Sequence, residues 1–281
     1  MGGESITPEV MVTAPRALYG RVMTTVDTPH AGALLRAWRD RRGLSQLTLA
    51  HNAGISPRHL SFVETGRSRP SRRTVLKLSE KLDIPLRERN TILVAAGHAP
   101  VYPEHRLGDL PMAAVSDAIT RILTLHRPFP AVVVDRHWTM VDSNDAVGVF
   151  VEGCAPELLE PPVNVLRLTL HPRGLAPRIV DLGQWRGHLL ARLQHQIGST
   201  ADPVLLRLYD ELAGYPCDDP VGEVEPHSLV VPMRLRTGAG ELSFLSTTTL
   251  FGTPLDVTVS ELAIEAFYPA DDATARALSG A

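Results

Sequence analysis

The sequence predicts two domains of different class: an all-α unit of five short helices, followed by an α+β unit built on an antiparallel sheet of about five strands. Three observations carry this. The chain has 281 residues, 44% of them hydrophobic and 21% charged, an ordinary composition for a globular protein and enough length for two cores. Its charge is divided: Arg36 to Arg89 holds 13 Lys/Arg against five acids, a local balance of +8 that leaves −11 for the rest of a chain whose net charge is −3. Its periodicity also changes. Up to about residue 97 apolar residues recur at three- and four-residue steps between Ser and Gly punctuation, whereas Val- and Thr-rich runs alternate with helical stretches after residue 130.

Composition excludes several function classes. No run of about 18 apolar residues occurs, and the N-terminus lacks a basic stretch followed by an apolar core, so a cytoplasmic location without membrane contact is expected. Two cysteines, Cys154 and Cys217, are too few for a disulfide framework or a zinc knuckle. A self-cleaving Ser-Lys dyad would need a lysine, but Lys77 and Lys81 both lie in the basic segment. His188 and His195 stand two helical turns apart, too far to share a metal, and Asp218, Asp219, Glu223 and Glu225 form an acidic loop rather than a dyad. No glycine-rich phosphate cradle is present. An enzyme, a metal and a cofactor are therefore not expected.

The helices follow in order. Residues 1–27 have no period and read as a flexible arm, with Arg16 and Arg21 able to reach a minor groove. Thr28-Pro29 is placed to cap a first helix with Leu34, Leu35 and Trp38 on its apolar stripe, and Gly43 ends it. Ser45 caps a second helix carrying Leu47, Ala50 and Ala53, which Gly54 ends. Only Ile55 separates that glycine from Ser56, the cap of a third helix with Pro57 at its first position. A turn this short fixes two helices at a large angle, the geometry of a helix-turn-helix. Leu60 and Val63 then face inward. A Ser71-capped fourth helix packs Leu76, Leu78 and Leu82, and a fifth packs Ile92, Leu93 and Ala96 before Gly97.

The string Gln46-x3-Ala50-x3-Gly54-Ile55-x4-Leu60-x2-Val63-Glu64-x-Gly66, followed by Arg69-Pro70, resembles the DNA-binding domain of the xenobiotic-response-element type, shared with phage repressors of lambda-repressor-like fold. The resemblance covers roughly residues 30–97, within a domain bounded at 28–97. It implies that the third helix enters the major groove of double-stranded DNA with Ser56, Pro57, Arg58, His59, Ser61 and Phe62 in or near it. Arg58 is the residue able to pair with guanine O6 and N7. Gln46 matches a phosphate anchor, and Arg67, Arg69, Arg72 and Arg73 are expected on the backbone. Glu64, an acid near phosphates, is expected in a structural ion pair with Arg39 or Arg36.

Residues 98–110, with Pro100, Pro103 and Gly108, read as a linker to a second domain at 111–281. Ala118, Ile119, Ile122 and Leu123 mark a helix that stops at His126-Arg127-Pro128. AVVVDRHWTMVDSN reads as a hairpin leading to a helix capped near Ser143. Helices follow at about 182–197 and 203–212, then strands at 229–235, 242–250 and 257–267. This is the order of a PAS-like module. Asn164-Val165-Leu166-Arg167, His171-Pro172-x-Gly174, Leu189-Leu190-Ala191-Arg192-Leu193 and Phe267-Tyr268-Pro269-Ala270-Asp271 resemble the ligand-binding domain of MmyB-like transcription regulators over roughly residues 111–278. The resemblance implies an apolar small-molecule pocket, with fatty acids as the ligand class. Trp138, Met140, Phe150, Trp185, Leu189, Met233 and Phe244 are its candidate lining, and Arg167, His171 and Arg178 the candidate donors to a carboxylate head. The chain is thus expected to be a regulator that binds a palindromic operator as a homodimer, the alternative being an antitoxin-like DNA-binding protein whose second domain holds a protein partner.

Overall fold

The computed structural model describes residues 29–217, 219, 231–238 and 240–280. The arm at 1–27, Thr28 and most of the acidic loop lie outside them. Five helices open the described chain: α1 (Ala31–Arg41), α2 (Gln46–Asn52), α3 (Pro57–Glu64), α4 (Arg72–Lys81) and α5 (Leu86–Ala95). Ser45, Ser56 and Ser71 each accept a backbone N–H of the following turn, as expected of caps. The cap of α1 differs: His30 takes it, its Nδ1 accepting from Ala33 N at 3.3 Å. Leu35, Trp38, Leu49, Leu60, Val63, Val75, Leu78, Ile92 and Leu93 close one core. In α4 it is Val75 rather than Leu76 that is fully buried.

Two glycines set this geometry. Gly54, at φ +54°, makes the turn between α2 and α3, a conformation that costs glycine nothing. Gly32 allows α1 to touch α3, since a Cβ there would sit 1.8 Å from the Val63 carbonyl oxygen.

The remainder is α+β. Helix α6 (Ala113–Leu125) precedes β1 (Ala131–Val134) and β2 (Met140–Ser143); α7 (Gly148–Val151), α8 (Val165–Leu170), α9 (Leu182–Thr200) and α10 (Pro203–Ala213) follow. Then come β3 (Met233–Thr237), β4 (Gly240–Leu250), α11 (Val257–Ser260), β5 (Ala263–Pro269) and α12 (Asp272–Ser279). The described strands form one antiparallel sheet in the order β2-β1-β5-β4-β3. One expected strand, at 257–267, begins instead as α11. Asp256 accepts from Thr258 N and Val259 N, and this cap overrides the strand preference of a Val-Thr-Val run.

Strand alternation divides the sheet into two faces. Ala131, Val133, Ile264 and Ala266 meet Ile119 and Leu123 of α6 on one. Val132, Val134, Met233 and Phe244 meet α8 and α9 on the other. Irregular chain covers both edges: Met140 N donates to Val163 O at 2.7 Å beside β2, and Val180 N to Arg234 O at 2.9 Å beside β3.

Candidate functional site

Two faces and the contact between them define the site. The first is the exposed side of α3. Pro57 and Arg58 are exposed, His59, Ser61 and Phe62 half-buried, and Leu60 and Val63 face the core. Arg58 lies over the Phe62 ring at 5.4 Å, which holds a flexible cation above the helix surface. Ser56 accepts from His59 N at 3.1 Å and keeps its hydroxyl proton to donate. Arg67, Arg72 and Arg73 are exposed and make no ion pair among the described residues.

Two expected phosphate ligands also have partners within the fold. Arg69 Nε donates to Ala96 O at 2.6 Å, bracing the end of α5. Gln46 Nε2 donates to Glu64 Oε2 at 2.7 Å, leaving one amide proton and the carbonyl oxygen for other contacts. Glu64 is fully buried and pairs with Arg39 through Nε at 2.7 Å and Nη2 at 3.0 Å. Of the two partners expected from sequence, Arg39 takes it; Arg36 faces Asp40.

The second face is a cavity of about 80 Å³ between the sheet and α7 to α9. Six expected lining residues meet there: Trp138, Met140, Phe150, Trp185, Leu189 and Met233. Phe244 does not line it but packs behind, edge-on to Phe150 at 5.3 Å.

The three expected donors do not reach the cavity, and each has another structural use. Arg167 forms a two-point pair with Glu211 at 2.6 and 2.7 Å. That pair holds the Glu211 carboxyl below its ordinary pKa, while burial and the Glu211 hydrogen bond push the Tyr215 phenol up to about 12. His171 lies edge-on to Tyr215 at 5.1 Å. Arg178 donates to the carbonyls of Val149 and Glu152 and so closes the end of α7.

The polar groups that do line the cavity are Arg192, Glu265, Ser246 and Thr169. Sequence reasoning missed the pair among them. Arg192 Nη1 and Nη2 meet Glu265 at 2.9 and 2.5 Å, Nη2 also donates to Thr248 at 2.6 Å, and the guanidinium lies 4.5 Å from the centre of the Trp138 ring. Alternation along β5 was the available signal, because it puts Glu265 on the same face as Phe267.

Between the two faces runs a clasp. Arg87 of α5 pairs with Glu261 through Nε and Nη2, both at 2.8 Å, and with Glu104 at 2.7 Å. Arg136 approaches Glu261 at 3.5 Å and Asp202 at 3.9 Å, and His137 Nε2 lies 2.8 Å from Asp202. Burial opposes ionisation of Asp202, but the His137 hydrogen bond and the Val204 N–H hold its pKa below the ordinary value. Glu88, on the same helix as Arg87, has its pKa raised by burial. The segment expected as a linker belongs to this clasp. Asn90 fixes Val101 and Tyr102 through three hydrogen bonds of 2.7 to 3.2 Å, Val257 N donates to Pro103 O at 2.8 Å, and His105 Nδ1 lies 2.8 Å from Asp256.

Clasp and cavity meet in one turn. Arg136 and His137 belong to the clasp, and Trp138, next in the chain, lines the cavity in a left-handed conformation at φ +66° that a bulky residue rarely adopts. Gln196 of α9 ties the turn down, accepting from Trp138 Nε1 at 2.8 Å and donating to Arg136 O at 2.9 Å. Among the described residues no cluster suits a metal ion, and no helix is long and apolar enough to cross a membrane.

Comparison with known proteins adds to this geometry. Residues 115–280, more than half of the chain, match the family described as MmyB-like transcription regulator ligand binding domain. Residues 35–89 match a helix-turn-helix family. HTH-type transcriptional regulators of Mycobacterium tuberculosis and Mycobacterium bovis are 37% identical over 107 residues, a match covering 38% of this chain and only 38% of each relative. Among solved structures, the restriction-modification controller protein C.AhdI from Aeromonas hydrophila is 40% identical over 22% of this chain and 96% of its own, with a TM-score of 0.21. An RNA-binding light-oxygen-voltage receptor is 15% identical over 89% of this chain and 59% of its own, with a TM-score of 0.26.

Proposed function

We propose, from the premise that this chain belongs to the MmyB-like transcription regulators, that an apolar, fatty-acid-like molecule in the cavity changes how firmly α3 engages an operator. The chain is a transcriptional regulator, not an enzyme, with a helix-turn-helix DNA-binding domain and a ligand-binding domain. In our reading these occupy residues 28–97 and 111–281 with the strap at 98–110 between them, the protein works in the cytoplasm, and the strand order supports a PAS-like second domain.

The observation that carries the coupling is the turn at Arg136 to Trp138. A ligand that shifts Trp138 moves the residues next to it, which hold Glu261 and Asp202, and Glu261 holds Arg87 of the DNA-binding domain. The cavity is smaller than the roughly 300–1,000 Å³ of sites for drug-sized ligands, so a long acyl chain enters only as α8 or α9 moves away from the sheet. That movement is the signal. Differential affinity for the two arrangements then sets the size of the response.

On DNA, Arg58 reads a base, while Arg67, Arg69, Arg72, Arg73 and the amide of Gln46 contact phosphates. One such helix covers few base pairs. A homodimer on a palindrome with half-sites about 34 Å apart supplies the rest of the specificity. Native mass spectrometry of the purified chain followed by denaturing extraction tests the ligand, and operator titration with and without it tests the coupling. Release of an apolar molecule that changes operator affinity supports the reading; an operator affinity constant across saturating ligand overturns it. Arg87→Ala is expected to abolish the ligand response while α3 still binds operator.

A further inference from the structure

Given that the regulator works as a homodimer, we infer that the second copy docks on the outer face of α6, the two helices packing antiparallel about a two-fold axis. The inference deepens the homodimer of the reading above and rests on it.

The first ground is that α6 is apolar on two sides. Its inner side packs Val115, Ile119 and Leu123 against the sheet. Its outer side carries Ala114, Ala118, Ile122 and Leu125, at steps of four, four and three residues, a spacing that keeps them on one stripe. Among the described residues the two most exposed large hydrophobic side chains are Leu110 and Leu125, at 93% and 84%, and they stand at the two ends of this helix. Ile122 between them is 39% exposed. Next to Leu125, His126 meets the exposed Tyr268 edge-on at 4.8 Å, which widens the surface on the sheet side. Single apolar residues scattered over a surface are ordinary, whereas a stripe gathered along one helix marks a contact.

The second ground is that the stripe fits its own reverse. The small residues, Ala114 and Ala118, occupy its first half and the large ones, Ile122 and Leu125, its second. An antiparallel copy sets small against large along the whole contact, while a parallel copy would set Ala on Ala and leave a gap. Charge obeys the same operation. Asp117 and Arg121 lie on one flank of the stripe, both exposed and without an ion pair among the described residues, whereas Arg127, just past the helix, pairs with Asp145 at 2.9 Å. A two-fold axis perpendicular to the helices keeps that flank on the same side and reverses its direction, so Asp117 of each chain faces Arg121 of the other. Volume and charge that complement themselves under one rotation are the mark of an isologous contact, which makes the occupant a second copy rather than a foreign protein.

Sedimentation equilibrium of the full chain tests this. The unaltered chain is expected to be a dimer, and Leu125→Glu, at a position the monomer leaves exposed, should raise its dissociation constant at least about tenfold with the circular-dichroism spectrum unchanged. Asp117→Arg and Arg121→Asp should each weaken self-association by a similar factor, because each opposes like charges at both symmetry-related pairs. In a parallel pair either variant would only exchange one like-charged pair for another and change nothing. An equimolar mixture of the two variants should recover the dimer, since every pair is then of opposite sign, and no change within one chain can produce that recovery. A dimer that is indifferent to Leu125→Glu and to both charge variants overturns α6 as the interface and leaves the homodimer reading standing; an unaltered chain that stays monomeric overturns both. Charge variants that fail to recover on mixing overturn the antiparallel pairing of Asp117 with Arg121.

Discussion

The two domains each bury an arginine–glutamate pair, and the pairs are put to opposite use. Arg39 and Glu64 have side chains 9% and 0% exposed, and their remaining valences are filled by Gln46, the Leu44 carbonyl at 2.8 Å and Asp40 at 2.7 Å. Packed side chains surround them, so the pair fixes how α1, α2 and α3 meet. Arg192 and Glu265, 29% and 5% exposed, open onto the unfilled space of the cavity. The chemistry is shared and the surroundings differ. Where every valence is met the pair specifies one structure, and where space remains beside it the pair is left accessible to whatever enters.

The sharpest way to break the contrast is to remove one acid from each pair. Glu64→Ala removes the buried partner of Arg39, leaving it only the exposed Asp40, and is expected to cost about 3–5 kcal/mol, seen as early loss of the first domain in calorimetry and in denaturant melts. Glu265→Ala should cost less, because Arg192 can turn toward solvent; an equal loss would show that the cavity pair is structural too. Arg58→Ala comes next, at about 1–3 kcal/mol confined to one base pair. Titration against operator and scrambled DNA reads it, and equal losses on both would take Arg58 out of base recognition. Arg72→Ala should instead weaken all DNA alike and lower the salt slope by about 1. The smallest expected effect is at Glu88. Its folded pKa lies above the ordinary carboxylate value, so it lowers stability as pH rises through that raised value. Glu88→Gln should then gain under about 1 kcal/mol near neutrality, with no gain below about pH 4; urea melts across pH check this.

Much of the first domain was legible because its rules are local. Ser45, Ser56 and Ser71 announce their helices within three residues, and a lone acid amid cations required the partner it has in Arg39. Gly32 gave no such signal. Its role depends on Val63, far along the chain, and a glycine in the first turn of a helix signals nothing by itself. In the second domain the strands and the aromatic lining were readable from alternation, except where Asp256 turned a β-branched run into helix. The polar lining was not legible, because a distinctive local motif does not tell where its side chains end up in the fold. Arg167, His171 and Arg178 hold loops and helix ends, while Arg192 and Glu265 meet only after α9 crosses the sheet. The strap at 98–110 looked structureless because its order comes from Asn90, Asp256 and Arg87, none of them within it.

That strap bears on modularity. Its bonds run to α5 on one side and to α11 on the other, so the junction is matched to both neighbours rather than being a neutral tether. Under the proposed coupling, a chimera joining this DNA-binding domain to a foreign ligand-binding domain would lack the matched junction and be deaf to its ligand. On that reading Arg87 and Asn90 would have to travel with Glu104, Asp256 and Glu261 as one unit, so the portable module cuts across the two domains.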